Sequence, residues 1–564
     1  MAEQKTVSGT REREIALEVL LQSEKGGQNS RLLKKTLDRY ADLPDAQRSF
    51  IKRLTEGTTE RRIELDARLG RYLKTPVEKL RPVVRQALRL GAYQILYMDA
   101  VPDAAACNEA VRLVQKRGLR NLSGLVNGVL RNLAREAAAE RGNVGDGGGS
   151  PAVSSSAPVQ TAAVNGRRSH LPSGMSEPAP VPTQPDKAAR RADFLSRCSV
   201  RYSMPEWIVS LWRETYGEAQ TEALLESLLQ VRPVSIRLDE RLSAAEREAA
   251  LTALRGVRTA QGDAARRGLH AEPEPSRGGL RIEPGRWLPY CYQLYGARGV
   301  AKLLGFAEGL WTVQDESSML VAEAAGIRTG RERVLDLCAA PGGKSCHAAV
   351  KLLLAAQNRA AAQAASCAEP PQAAHNRTSA QAAPRAEQMQ AAQSSGLVLS
   401  YDLTEKKVAL IRENLLRLRL PNVLAAVHDA RRFEPSWEKS ADIVLCDLPC
   451  SGLGVIGKKR DIKYNVTLPQ LKELAALQRE ILTQACCYVK PGGVLLYSTC
   501  TIDRAENEET ALWAERTLGL RPDSLRPYLP AGLPGLEAGR EHMVQLLPHI
   551  HGTDGFFMAR FIKE

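Results

Sequence analysis

The sequence predicts a multidomain chain: an all-α N-terminal region, a small α+β unit, and a C-terminal α/β domain on a mostly parallel, doubly wound sheet. Three observations carry this. From Trp311 onward, short apolar strands alternate with helical runs, the pattern of parallel strands joined by helical crossovers. Residues 1–140 instead place apolar side chains at three- and four-residue spacings, the mark of amphipathic helices. Between them, residues 141–190 hold seven Pro, seven Gly and no aromatic residue. Such a composition buries too little apolar surface to offset the entropy of ordering, so a disordered linker is expected there.

In chain order, the helical reading of residues 1–140 rests on apolar stripes in 15–21, 65–72 and 83–96, with breaks at Gly26–Gly27 and Pro102. Folded sequence resumes near Asp193. Residues 202–212 (YSMPEWIVSLW) start a helix at Pro205 and Val234–Leu238 (VSIRL) reads as a strand. An α+β unit is therefore expected over 191–304, with a loop at 259–280. In the last domain, 305–564, strands are expected at 334–337, 397–401, Ala441–Asp447 and 494–498. Helices are expected from Lys344, over 404–420 and over 468–489. Residues 354–395 contain 16 Ala, many Gln, and no Val, Ile or aromatic residue, so they read as a floppy surface insertion between the first helix and second strand.

Hydrophobic residues make up 43% of the chain and aromatics 5%, so the cores must lean on Leu, Val, Ile and Ala. A net charge of +14 and a pI of about 9.3 favour a polyanionic partner. Residues 1–140 alone carry 26 basic against 18 acidic side chains, although a basic soluble protein with no nucleic-acid role would carry the same surplus. The polar start has no basic segment leading into an apolar run, and no stretch approaches the roughly 18 uncharged apolar residues that span a bilayer. A cytoplasmic protein without a membrane partner is expected. The eleven cysteines are scattered and odd in number, which suits reduced thiols better than a disulfide framework. Cys446 and Cys450 lack a second ligand pair nearby, and Cys486 and Cys487 are adjacent, so no metal site is expected.

In an open α/β sheet, ligands bind beyond the carboxyl ends of the strands. The first such end continues from Asp336 and Leu337 as Cys338, Ala339, Ala340, Pro341, Gly342, Gly343 and Lys344. Small residues let a ligand approach the backbone, and the next helix offers free N–H groups. This is neither G-x-G-x-x-G nor a Walker loop. Asp402 ends the second strand, where a carboxylate can accept both ribose hydroxyls of a nucleoside; the ordinary alternative is a helix N-cap. Asp429, in HDARRF, is placed to meet an adenine amino group, or is simply a turn aspartate. Two further ends carry Asp447-Leu448-Pro449-Cys450 and Ser498-Thr499-Cys500. A lone cysteine is usually a small core hydrophobe, the role expected of Cys446, Cys486 and Cys487. Two cysteines on strand ends facing one crevice suggest chemistry.

The run DLCAAPGGK, the D-x-P-C-S-G-x-G-V run and YSTC resemble the RNA cytosine-5 methyltransferases of the NOL1/NOP2/Sun family. Within it, the resemblance is to the bacterial subgroup that acts on ribosomal RNA and carries a NusB-like helical RNA-binding domain. NEAV at 108–111, GLVNGVLR at 124–131, YSMPEWIV, TVQDESSMLVA at 312–322, DIKY at 461–464 and HGTDGFF at 551–557 fit it as well. The resemblance implies a NusB-like domain over 1–140, an RRM-like middle unit and a Rossmann-like catalytic domain. It also implies S-adenosyl-L-methionine as cofactor, 16S rRNA as partner, a monomer, and methylation at carbon 5 of a cytosine of the 967 type. Two features depart from the family pattern: Leu448 stands where Ala is usual, and the 354–395 insertion is long.

Carbon 5 of cytosine is a poor nucleophile, so covalent catalysis divides the reaction into easier steps. The resemblance makes Cys500 the nucleophile that adds to carbon 6 and Cys450 the residue that assists product release. Asp447 is then expected to bond the N3 and exocyclic amine edge. Cofactor contacts are expected from Cys338, Ala339, Ala340, Pro341, Gly342, Gly343, Lys344, Asp402, Asp429 and Asp447. A free thiol ionises near pH ~8.5, so Cys500 needs an electropositive setting, for which Lys344 and Lys463 are both candidates. A non-catalytic RNA-binding assembly factor is the rival from another class, but it would be expected to have lost part of the site. A different RNA target is a second alternative. A DNA cytosine methyltransferase is a third; there the Pro-Cys cysteine would attack and Cys500 would be idle.

Overall fold

The computed structural model describes residues 8–27, 29–143, 187–255, 280–297, 299–367 and 396–564. It divides into two compact units, Met1–Leu211 and Trp212–Glu564. Among the described residues, no helix is long and apolar enough to cross a membrane.

The first unit is all-helical: α1 (Ser8–Ser23), α2 (Asn29–Arg39), α3 (Asp45–Glu60), α4 (Arg62–Gly70), α5 (Pro82–Tyr97), α6 (Asp103–Lys116), α7 (Ser123–Asn143) and α8 (Lys187–Tyr202). Pro82 opens α5 at a position where its missing N–H costs nothing. Every residue of α5 from Ala87 to Ile95 is buried, because α1, α3, α4, α6 and α7 all pack around it. Leu17, Leu54, Leu65, Leu69, Leu88, Leu130 and Leu133 form the core. The buried Arg89 guanidinium is held by Asp66 in a two-point pair at 2.7 and 2.6 Å, the geometry that best compensates a desolvated arginine.

Helix α8 packs on α4, and Ser203 Oγ accepts the backbone N–H of Ile63 at 3.0 Å. Residues 191–211 thus lie in the helical unit, not in the α+β unit to which the sequence reading assigned them. The cause is a stripe: Phe194, Cys198 and Tyr202 recur every fourth residue and are all buried. Of the expected linker, residues 144–186 lie outside the described residues, as do 259–279 of the expected loop. The helix α9 (Glu206–Leu229) is broken at Gly217, where φ is 77° and ψ 172°.

The second unit holds two sheets. The smaller is antiparallel, with β1 (Val234–Leu238), β2 (Arg281–Pro284), β3 (Cys291–Tyr295) and β4 (Trp311–Val313) in the order β2-β3-β1-β4. Helix α10 (Ala244–Arg255) covers it through Leu251 and Leu254, against Ile236, Leu238, Leu294 and Trp311.

The larger sheet contains β5 (Arg333–Asp336), β6 (Leu397–Asp402), β7 (Val423–Val427), β8 (Ala441–Asp447), β9 (Val489–Thr499), β10 (Leu520–Pro522), β11 (Met543–Leu546) and β12 (Phe556–Lys563). The order is β10-β12-β9-β8-β5-β6-β7, with β11 paired to β12. Strands β5 to β9 are mutually parallel, and β12 runs antiparallel to β9. Alternation of side chains explains the layers. Val334, Val398, Ile443, Leu445 and Leu496 face α11 (Glu316–Ala324) and α12 (Gly343–Cys367), where Leu320, Val350 and Leu353 await them. On the opposite face, Leu335, Leu399, Val444 and Leu495 pack on Ile481, Leu482 and Ala485 of α15 and Ala511 of α16. Here α13 is Glu405–Leu418, α14 Ile462–Asn465, α15 Leu468–Tyr488, α16 Glu508–Leu518 and α17 Pro548–His551. Strand order reverses between β5 and β8, which opens a crevice beyond their carboxyl ends.

One expectation for this unit is corrected. Residues 354–367 are not a floppy insertion but continue α12 to Cys367, because Ala, Leu, Gln and Arg are strong helix formers. Residues 368–395 lie outside the described residues.

Candidate active site at the carboxyl ends of the parallel strands

The turn from β5 into α12 is held from behind by β6. Ala339 N–H donates to the Tyr401 carbonyl at 2.8 Å, and Ala340 N–H to Asp402 Oδ2 at 3.0 Å. Gly342 closes the turn at φ 101°, a value that favours glycine. Thr404, not Asp402, caps α13, its hydroxyl accepting from the Lys407 N–H. Asp402 is therefore free of the capping role; its carboxylate also accepts from the Leu403 N–H at 2.7 Å and pairs with Lys407 Nζ at 2.8 Å. Gln314, from the TVQDESSMLVA run, lies beside this turn: a Cβ at Gly343 would sit 3.9 Å from its Nε2. Both polar atoms of that buried amide lack a hydrogen-bond partner, so a polar ligand at the turn would find a donor and an acceptor waiting. Gln314 was not singled out in the sequence, where a glutamine between strand and helix carries no signal.

Asp429 follows β7. Its carboxylate is gripped by Arg431, Nε at 3.0 Å and Nη2 at 2.7 Å, with the Arg431 N–H at 3.1 Å. Those bonds from Arg431 hold its carboxyl at about 2. The geometry is that of a turn aspartate whose oxygens are already engaged.

Strands β8 and β9 lie side by side, with Asp447 opposite Ser498. Asp447 Oδ2 accepts from Lys344 Nζ at 2.6 Å and Oδ1 from Ser498 Oγ at 3.0 Å. Lys344 Nζ in turn lies 5.1 Å over the Phe556 ring of the HGTDGFF run. Just past the strands, Cys450 Sγ and Cys500 Sγ approach to 3.4 Å. The bond from the Cys450 thiol lowers the Cys500 pKa below the ordinary thiol value; burial and Asp447 oppose this, and Lys344 and Lys459 assist it. Cys450 moves well above that value, first through the same bond and then through burial. Both shifts favour the thiolate on Cys500 over Cys450.

The loop after Cys450 closes over Cys500. Gly454 N–H donates to the Cys500 carbonyl at 3.1 Å, and Gly555 N–H to the Gly454 carbonyl at 2.9 Å. A Cβ at Gly454 would fall 2.0 Å from the Gly555 oxygen, so only glycine passes. Further along, Lys458 Nζ bonds Asp315 Oδ2 at 2.6 Å and Asp554 Oδ2 at 2.7 Å. That strut ties two runs singled out in the sequence, TVQDESSMLVA and HGTDGFF, to the segment just before DIKY. Of the two lysines expected to favour a Cys500 thiolate, Lys344 does so. The second is Lys459 rather than Lys463, which is buried with its Nζ 5.3 Å over the Tyr464 ring. Sequence spacing could not choose between Lys459, in the loop after Cys450, and Lys463, four residues on in the short helix Ile462–Asn465.

Cys446 and Cys486 are buried as expected, but Cys487 is exposed, because the last turn of α15 points it outward beside its buried neighbour. Among the described residues, Glu240, Glu323 and His347 could converge on a cation. However, Lys351 Nζ already bonds both carboxylates, at 2.7 and 2.6 Å, and occupies the centre of charge.

Comparison with known proteins follows the same division. Residues 10–135 match the NusB family, and residues 379–562 match the family described as 16S rRNA methyltransferase RsmB/F. The chain is 31% identical over 556 residues to a probable ribosomal RNA small subunit methyltransferase B of Bacillus subtilis (strain 168), covering 98% of both. It is 27% identical over 518 residues to ribosomal RNA small subunit methyltransferase B of Pseudomonas syringae pv. tomato, covering 92% of this chain and 89% of that one. Among solved structures, the crystal structure of PH0851 shares the fold at a TM-score of 0.64 and 19% identity, over 98% of this chain and 99% of that one.

Proposed function

The chain belongs to the ribosomal RNA small subunit methyltransferase B family, and we propose that it methylates carbon 5 of one cytosine in 16S rRNA, of the 967 type, through a covalent adduct on Cys500. Enzymes of this family depend on S-adenosyl-L-methionine. The observation that carries the finer reading is the pair of thiols, 3.4 Å apart, beside Asp447 at the mouth of the crevice.

The residues present fit the cofactor. The Cys338–Lys344 turn, Asp402 and the unpartnered Gln314 amide would hold it, with Asp429, whose oxygens keep acceptor capacity beyond the bonds from Arg431, toward its adenine. Bound there, S-adenosyl-L-methionine supplies an electrophilic methyl group. The Cys500 thiolate adds to carbon 6 of the cytosine, which places an electron pair on carbon 5. Asp447, fixed by Lys344 and Ser498, presents an oxygen to the N3 and amine edge and stabilises the adduct. Cys450 assists once carbon 5 carries the methyl group: a base takes the carbon-5 proton, the electron pair of that bond re-forms the double bond to carbon 6, and the carbon–sulfur bond breaks to return the Cys500 thiolate. The target base must be unstacked or lie in a loop to be reached. The NusB-like helical unit, with its basic surplus, is assigned to RNA binding.

Bisulfite sequencing of 16S rRNA tests this. In a strain lacking the protein, one cytosine should lose its protection, and the purified protein with S-adenosyl-L-methionine should restore it. Unchanged protection at every cytosine would overturn the proposal and favour an assembly role.

A further inference from the structure

Glu506 stands six residues beyond Cys500, is fully buried, and has no place in the mechanism above. Its carboxylate lies under both thiol-bearing loops. Oε2 accepts from the Ser451 N–H at 2.9 Å and from Gln478 Nε2 at 3.0 Å, while Oε1 meets the Ser451 hydroxyl. Gln478 Nε2 also donates to the Pro449 carbonyl at 2.9 Å. The residues on either side of Cys450 are thus bonded to Glu506, one directly and one through Gln478. Ser451 Oγ and Thr501 Oγ1 lie 2.7 Å apart, which links the residue after Cys450 to the residue after Cys500. Asn507 completes the clamp on the Cys500 side: its Nδ2 donates to the Thr501 carbonyl at 3.0 Å, and its Oδ1 accepts from Thr499 Oγ1 at 2.5 Å. The Glu506 main chain is tied down as well, its carbonyl meeting the Tyr497 hydroxyl and its N–H donating to Asp503 Oδ2 at 3.1 Å.

We infer that Glu506 is a positioning residue: its carboxylate clamps the Pro449–Ser451 loop against Cys500 and so determines which of the two sulfurs carries the thiolate. The inference deepens the two-thiol reading of the proposed function and rests on it. Two effects act in the same direction. The clamp sets the 3.4 Å approach that lets the Cys450 S–H stabilise a Cys500 thiolate. The Glu506 charge also acts on Cys450, whereas the cations nearby, Lys344 and Lys459, act on Cys500. Asp447 raises both thiols, so what distinguishes them is the Glu506 charge at Cys450 against the Lys344 and Lys459 charges at Cys500. Burial pushes the Glu506 carboxyl up to about 7, so at about pH 8 it acts as a carboxylate.

The test is competitive alkylation of the full-length protein, without RNA, at about pH 8. Limiting iodoacetamide is added, and mass spectrometry measures modification at Cys500 and Cys450. In the unaltered protein Cys500 should react well ahead of Cys450. In Glu506→Gln the Cys500-to-Cys450 ratio should fall about tenfold, through slower reaction at Cys500 and faster at Cys450, since a one-unit shift in relative pKa is a factor of ten. Ser451→Ala keeps the glutamate and removes one donor, and should fall part of the way. An unchanged ratio in both variants overturns the inference. So does an equal rise at both sulfurs, which is the signature of a loop that has merely loosened. Retained S-adenosyl-L-methionine binding shows that a variant is folded; if Glu506→Gln loses it, Ser451→Ala alone decides. Because no RNA is used, the expected ratios in a protein that leaves 16S rRNA unmethylated would sink the proposed function and not this inference. A methylating enzyme with unchanged ratios would do the reverse.

Discussion

Lys344 and Asp447, 103 residues apart in the chain, meet as an ion pair with Nζ 2.6 Å from Oδ2. The pair joins the turn after β5 to the end of β8 across the point where strand order reverses. It also balances the field at Cys500, which Lys344 lowers and Asp447 raises. Lys344→Met keeps the length of the side chain and removes its charge, leaving the unfavourable Asp447 field unopposed. The pH profile of Cys500 alkylation should then move upward by about one unit, the shift expected from losing one nearby opposite charge. An unmoved profile would assign Lys344 to cofactor binding alone.

Gly454 tests the loop that closes over Cys500. Any Cβ there would meet the Gly555 oxygen at 2.0 Å and the Cys500 carbonyl at 2.8 Å, both backbone atoms that cannot swing aside. Gly454→Ala should therefore displace the Cys500 backbone and lower methylation by roughly a hundredfold, the usual result of misplacing a reacting group by about 1 Å. Affinity for S-adenosyl-L-methionine should stay within a few-fold, because the turn after β5 and Asp402 are untouched. Near-normal turnover would show that this loop does not position the nucleophile.

The contrast between these residues shows what the sequence made legible. Ala441–Asp447 could be read as a buried strand, and Cys450 and Cys500 as crevice residues, because strand periodicity and the strand-end rule are local. Lys458, Lys459 and Glu506 escaped notice because their roles exist only through partners brought close by folding: Asp315 and Asp554 for Lys458, the thiol pair for Lys459, Ser451 and Gln478 for Glu506. Residues 354–367 were misread for a different reason. Low-complexity composition suggested disorder, yet alanine is the best helix former once a helix already nucleated at Gly343 can simply propagate.

Asp336 gives a pH dependence whose sign can be worked out. It is fully buried at the end of β5, accepts from Ser345 Oγ at 2.5 Å, and its Oδ1 has no partner. Burial pushes its carboxyl up to about 7 from the ordinary 3.8. The native state therefore holds a proton that the unfolded chain gives up, so the stability it confers is full below the ordinary value and is lost as pH rises through about 7. Glu506 and Asp554 are raised to about 7 as well, and they add to the same slope. Asp336→Asn cannot ionise, so its Tm should fall less steeply than that of the unaltered protein between roughly pH 4 and 7. Parallel Tm curves would mean that Asp336 stays ionised in the fold.

The two thiols make the most direct test, because each is assigned to a different step. The contact between the sulfurs lowers the Cys500 pKa and raises that of Cys450, which favours Cys500 as the attacking sulfur. Cys500→Ala should bind S-adenosyl-L-methionine yet form no covalent RNA complex and give no methylated product. Cys450→Ala should still attack and methylate but fail to let go, accumulating a protein–RNA complex that survives denaturing electrophoresis. Losing groups that act in sequence stalls different intermediates, so the variants should differ in kind and not only in rate. Alkylation adds an independent check: without its 3.4 Å partner, Cys500 in Cys450→Ala should react with iodoacetamide more slowly at neutral pH, because the donor that favours its thiolate has gone. A trapped complex in Cys500→Ala instead would reverse the assignment and make Cys450 the attacking sulfur, the arrangement of a DNA-type cytosine methyltransferase. Full activity in both variants would reduce the pair to core thiols, and the polarisation between them would then have no catalytic meaning.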